Sequence, residues 1–239
     1  MPSSHLEVAR RYAGPPTMGH GGYVAGLLAR RRKGVVQVTL RRPTPLDAPI
    51  ELVDTDDLLE LRNGDEVIAS AEVVPGPLDL DVPAPPTLDE ARAAEAGSPS
   101  HYDGRGVHPT CFGCGTAADG GLRIHVGPLE GREPPQVAAV WLPGEALADP
   151  DGTVDPHWVL AALDCPGAFA FIAGGKRAGL LGRIVFEQHG PVAAADEHVV
   201  TGWQVGEDGR KLFAGTALFA ADGTLLASAK ATWFQMTPG

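Results

Sequence analysis

Cysteine is scarce in this chain, with three in 239 residues. An odd handful cannot build a disulfide framework, and it fits a reducing compartment. Positive charge is also short: 19 Lys and Arg stand against 30 Asp and Glu, a formal net charge of −11. Nothing in that balance offsets phosphate repulsion, which argues against a general nucleic-acid binder or an anionic-membrane binder. Long apolar runs are missing too. The opening MPSSHLEVARRYAG has no stretch that could form a signal-peptide core. Runs such as Val159-Leu-Ala-Ala-Leu163 fall well short of the roughly 18 residues a membrane span needs. A phosphate-cradling loop is absent as well, because Gly174-Gly175 before Lys176-Arg177 lacks the P-loop framework. These absences point to a soluble, cytoplasmic protein.

What is plentiful is glycine and proline, 31 and 22 residues, which implies many turns and a Pro-rich connector. Hydrophobic residues make up 44% of the chain, enough to fill ordinary cores. The length suits two domains of about 110 residues.

An internal repeat organises the rest. Val67-Ile-Ala-Ser-Ala-Glu72 lies over Leu225-Leu-Ala-Ser-Ala-Lys230 without gaps, and each follows a turn signal, Asn63-Gly64-Asp65 and Ala221-Asp222-Gly223. Gly22-Tyr-Val-Ala-Gly-Leu-Leu28 matches His157-Trp-Val-Leu-Ala-Ala-Leu163, and Val38-Thr-Leu40 matches Ile184-Val-Phe186. Three matches in the same order imply a duplicated domain. Each copy reads as a helix, at 22–31 and 155–171, followed by long alternating strands. These fall at 35–42, 50–54, 57–62 and 66–74 in the first copy, and at 180–188, 197–205, 210–220 and 224–236 in the second. Further strands precede the second helix, at 122–128 and 136–142. The first helix is small and apolar nearly all round, as a helix wrapped by its sheet requires. Between the copies runs a Pro-rich connector, and Thr87 followed by Glu90 marks a capping box that starts a short helix.

A long curved antiparallel sheet around one central helix, duplicated in one chain, resembles the double-hotdog acyl-CoA thioesterase superfamily. His20-Gly21-Gly22 at the first helix start is similar to the His-Gly-Gly of phenylacetyl-CoA and hydroxybenzoyl-CoA type thioesterases, and Leu163-Asp164 to the acidic position on their central helix. The resemblance implies an α+β fold of two tandem hotdogs sharing one sheet about a pseudo-twofold axis, residues 1–75 and 105–239, joined by 76–104. It also implies a site between the hotdogs, where the helix start of one faces the acid of the other. Adding 135 to the first helix puts Ala29 at Asp164 and His20-Gly21-Gly22 at Asp155-Pro156-His157. The expectation is therefore one working site, Gly22 with Asp164, and one degenerate site.

The chemistry of these residue types agrees. A helix start offers unpaired N–H groups and partial positive charge to a thioester oxygen. Glycines there, Gly21 and Gly22, allow close approach, with His20 as an extra donor. Asp164 in an apolar setting is a candidate general base or nucleophile; the competing reading is a carboxylate that caps a helix broken by Pro166. Lys176, Arg177 and Arg183, with Arg41 and Arg42, are candidates to meet the phosphates of a CoA tail. The partner implied is acyl-CoA or another acyl thioester, with no cofactor, no nucleic acid and no membrane, and a homodimer of the duplicated unit stays open.

Two alternatives stand beside the hydrolase. One is an acyl-thioester binding protein without turnover, suggested by Ala168, where related enzymes often carry Ser or Thr one turn after the acid. The other is a hotdog enoyl-CoA hydratase or dehydratase resting on Asp103 and His108. The run His108-Pro-Thr-Cys111-Phe-Gly-Cys114 has a zinc-like thiol pair but no second pair beside it. His101, His125 and Cys165 are the donors available from elsewhere. The expectation is a compact turn that carries no metal.

Overall fold

The computed structural model describes residues 3–102, 107–177 and 179–235. Alternating apolar residues form eleven strands: β1 (Ser3–Glu7), β2 (Val35–Leu40), β3 (Pro49–Asp54), β4 (Leu59–Asn63), β5 (Glu66–Val74), β6 (Gly127–Leu129), β7 (Gln136–Trp141), β8 (Gly179–Gln188), β9 (His198–Asp208), β10 (Lys211–Ala220) and β11 (Leu225–Gln235). They make one antiparallel sheet in the order β1-β3-β4-β5-β2-β8-β11-β10-β9-β7-β6. The order is nearly a palindrome about the β2–β8 junction. At that junction Val38 is the cross-strand partner of Ile184, and these are two residues matched by the internal repeat. A twofold axis through the junction would impose that pairing.

The tight hairpins lie where turn chemistry puts them. Gly64, Gly209 and Gly223 all adopt positive φ, which glycine tolerates without steric cost.

Among the described residues four α-helices accompany the sheet: α1 (Gly21–Ala29), α2 (Leu88–Ala94), α3 (Pro156–Ala162) and α4 (Asp164–Ala173). The expected single helix over 155–171 is two helices. Pro166 has no N–H to give the Ala162 carbonyl and its ring collides with it, so α3 stops at Ala162 and α4 starts afresh at Asp164. Residues 156–173 are long and apolar enough to cross a bilayer by composition, but 83% of that stretch is buried inside the protein. It is a core element.

Helices α1, α3 and α4 cover one face of the sheet, packed on Val38, Ile184, Val200, Leu218 and Ala229. The alternate residues Val199, Trp203, Ala217 and Phe219 point the other way and are covered by Ala91 of α2. The capping box forms as expected: Thr87 accepts from the Glu90 amide, and Glu90 accepts from the Thr87 amide.

Besides the split helix, two elements differ from the sequence reading. β1 was not foreseen; it adds to the sheet edge through β3. The strand expected at 122–128 shrinks to β6, because the amides of Leu122 and Ile124 donate to the carbonyls of Phe112 and Gly113 at 2.8 and 2.9 Å. That segment pairs with the cysteine loop instead of the sheet.

Candidate active site

Helices α1 and α3 run antiparallel in close contact, and glycines make that possible. A Cβ at Gly22 would lie 2.4 Å from Asp164 Cβ and 2.9 Å from the Leu160 carbonyl oxygen. A Cβ at Gly26 would lie 2.4 Å from the His157 carbonyl oxygen. This packing delivers the N-terminus of α1 to the break between α3 and α4, where Asp164 sits.

The Gly22 N–H donates to Asp164 Oδ2 at 2.6 Å. His20 is the N-cap of α1, and its Nδ1 accepts from the Tyr23 amide at 3.2 Å. Its Nε2 lies 3.3 Å from Asp164 Oδ2 and 3.3 Å from Cys165 Sγ. His20 and Asp164 are each only 2% exposed. Asp164 Oδ1 is buried without a hydrogen-bond partner, an oxygen poised to accept a proton or a water hydrogen bond.

Burial pushes the Asp164 carboxyl above the ordinary aspartate range, and the neighbouring His20 and the Gly22 amide pull it part of the way back. Burial pulls His20 down, but the Asp164 charge and the Cys111 thiol outweigh it and raise it to about 8.

Residues 108–115 close over this pair. The Phe112 amide donates to the Ala13 carbonyl at 2.7 Å, tying the loop to the chain ahead of α1. Phe112 packs edge-on against Tyr12, Tyr23 and His20. Tyr12 and Tyr23 stack at 4.1 Å, and Trp158 leans on both. A Cβ on Gly113 would strike His20 Nε2 at 2.6 Å and Cys165 Sγ at 2.8 Å, so the loop backbone lies directly on the site. Cys111 Sγ is 3.9 Å from Cys165 Sγ. Hydrogen bonding with Cys114 and Cys165 holds the Cys111 thiol well below its usual range, and the same contacts push Cys114 and Cys165 up.

The structure thus brings together His20, Gly21, Gly22 and Asp164, all read from the sequence. Both ring nitrogens of His20 are engaged, so its place is to hold the helix start beside Asp164. The competing capping reading has a counterpart too, since Asp164 caps α1 across the helix pair by accepting the Gly22 N–H. Sequence reasoning named Cys165, with His101 and His125, as an outside donor for the cysteine pair, but did not foresee that His20 joins Cys111 and Cys165. The adjacency Asp164-Cys165 was the available signal.

The basic candidates are dispersed. Lys176 pairs with Glu207, Arg42 with Glu66, and Arg41 bonds Ser70 Oγ at 2.6 Å. Arg183 is exposed on β8 beside the buried Ile184, so it stands on the sheet face away from α1. Arg177 is exposed. Asp103 lies outside the described residues, and His108 is exposed.

The pseudo-equivalent place, where Ala29 faces Pro156, is open. A cleft of about 600 Å³ lies there, bordered by Arg30, Val36, Pro156 and Phe186.

No protein-family model matches the sequence, and no curated protein matches it. Solved structures do. A tesB protein of Mycobacterium avium subsp. paratuberculosis aligns with TM-score 0.63 at 17% identity, over 98% of this chain and 93% of that one. A conserved protein of unknown function with hot dog fold from Alicyclobacillus acidocaldarius gives TM-score 0.63 at 14% identity, over 99% and 94%. The acyl-CoA thioesterase II TesB2 of Mycobacterium marinum gives 0.58 at 14%, over 99% and 94%. At such identities the likeness speaks for architecture, and it does so across nearly the whole chain. The protein has the hotdog fold.

Proposed function

We propose that this protein is an acyl-CoA thioesterase-like hydrolase with one site between two tandem hotdogs, residues 1–75 and 105–239, linked by 76–104. The observation that carries the reading is the 2.6 Å contact between the Gly22 N–H and Asp164 Oδ2. A helix start from the first half and a buried carboxylate from the second meet where the family resemblance requires them. The acyl-CoA thioesterase name on a structure of the same architecture supports it. In turnover, the thioester carbonyl oxygen would take the Gly21 and Gly22 amides, displacing the carboxylate from the Gly22 N–H. The freed Asp164 would then take a proton from water as the water oxygen attacks the acyl carbon, the C–S bond breaking to release the CoA thiol. Alternatively it would attack directly, expelling the thiol to leave a mixed anhydride that water then cleaves. Arg177 remains a candidate for the phosphates of a CoA tail. The acyl group is unassigned.

One observation favours a second reading, acyl-thioester binding without turnover. In the structure the amide meant for substrate is already taken by Asp164, under a closed loop.

Thiol release from a panel of acyl-CoAs separates the two. Under the hydrolase reading the wild type releases thiol, and Asp164→Asn, which removes charge without changing shape, loses about two to four orders of magnitude in turnover. Equal rates in wild type and variant would exclude Asp164 as the base. Saturable binding of acyl-CoA with no release by the wild type would establish the second reading.

A further inference from the structure

The loop that covers the site contains more chemistry than a cover needs. Cys111 and Cys114, two residues apart in sequence with Gly113 just before the second, meet Cys165 from the first turn of α4 and His20 from the cap of α1. His20 Nε2 and the Cys111 and Cys165 sulfurs all lie within 4.8 Å of one another. Cys114 stands outside that set of three, buried on the same loop three positions after Cys111, and is the nearest further donor the loop offers. All three cysteines are free and buried.

The spacing is that of one tetrahedral ion. Zinc bonds of about 2.3 Å to sulfur and 2.0–2.1 Å to nitrogen separate two sulfurs by about 3.8 Å and sulfur from nitrogen by about 3.6 Å. The observed separations are 3.9 Å for Cys111 to Cys165 and 3.3 Å for Cys165 to His20. Three mutually adjacent buried thiols without an ion would be three weak donors with few acceptors, a poor use of a core.

We propose that Cys111, Cys114, Cys165 and His20 bind a single structural zinc ion. Four protein ligands leave no open position, so the ion itself takes no substrate. Its work is mechanical: it fastens the 108–115 loop to the start of α1 and to the α3–α4 break, the three segments that build the site. Ligation through Nε2 moves the His20 proton to Nδ1, at the expense of the bond it accepts from the Tyr23 amide. Asp164 Oδ2 lies 3.3 Å from that same Nε2; on ligation it loses the ring as a hydrogen-bond donor and stays beside the ligand sphere as a negative charge. The missing second pair, which made a metal-free turn the sequence expectation, is supplied by the fold from His20, 91 positions before Cys111, and Cys165, 54 positions after it.

The test uses the full-length protein purified without added chelator and dialysed against metal-free buffer. Elemental analysis should find close to one zinc per chain. Exchange with Co²⁺ should give the thiolate charge-transfer and intense visible bands of tetrahedral cobalt. A strong chelator should expose three reactive thiols that are protected before it and should lower the melting temperature. Cys165→Ala should reduce metal content at least several-fold. Wild-type protein without stoichiometric metal, without cobalt bands and with thiols indifferent to chelator overturns the proposal, as does a disulfide among the three cysteines. These wild-type measurements decide the matter even if the variant does not fold. None involves substrate, so a hydrolase reading lost on the acyl-CoA panel would leave the zinc result standing, and the converse holds.

Discussion

Single atoms decide how close α1 and α3 can come. At Gly26 a methyl group would meet backbone on the facing helix, 2.4 Å from the His157 carbonyl oxygen and 2.8 Å from its Cα. Backbone cannot rotate aside as a side chain can, so the helices must separate. Gly26→Ala should cost about 1–3 kcal/mol, read as a lower urea midpoint, even though alanine favours helix. An unchanged midpoint would show that the pair is more loosely packed than described. Under the hydrolase reading, Gly22→Val should abolish thiol release from acyl-CoA for the same reason, more by pushing Asp164 away than by blocking substrate. At this scale His20, Gly21, Gly22 and Asp164 were legible, because a helix start and an acid in an apolar run carry local signatures. Cys165 as a neighbour of Cys111 was not, since no local spacing records a contact between segments 54 residues apart.

Secondary elements followed the chain's periodicity closely where the pattern was long. β8 to β11 fall within a few residues of the alternating runs, and the capping box set the start of α2. The misreadings came from competition for hydrogen bonds. Pro166 removed one and split a helix. The cysteine loop captured the amides of Leu122 and Ile124 and shortened β6. β1 was missed because five residues at a sheet edge have too few alternations to stand out. The helix α2 is short, so its cap carries much of its stability. Thr87→Ala should destabilise the protein by about 1 kcal/mol. It should also raise the accessibility of Trp203, which lies in the patch under this helix, to a fluorescence quencher. A quenching profile equal to wild type would mean that packing alone holds α2 in place.

For the molecule as a whole, the two halves of the sheet meet through a short seam. β2 and β8 pair over Val36 to Thr39 only, reinforced by the α1–α3 contact on the helical face. A fragment of residues 1–102 would present both β2 and the glycine face of α1 without partners. It should self-associate, with a scattering mass of at least about twice the monomer. A monomer with native-like circular dichroism would show that the first half is self-sufficient. The duplication itself was legible from three ordered matches. One shared sheet about a pseudo-twofold axis was expected from the resemblance; that β2 and β8 form the seam, and in which register, was not, because the sequence pattern leaves register open.

That seam also sets a schedule. On the ribosome, β2 is complete once residue 40 has emerged and β5 covers one of its edges by residue 74, yet its partner across the seam, β8, begins only at residue 179. At about 5–20 residues per second, the open edge waits on the order of ten seconds for its neighbour. During that interval the nascent first half is a template for any passing strand, and neighbouring chains on a crowded polysome carry the same one. Slow translation or high expression should therefore harm yield through this strand first. The polar positions Gln37 and Thr39, alternating with Val36 and Val38, are the part of the sequence that meets that exposure.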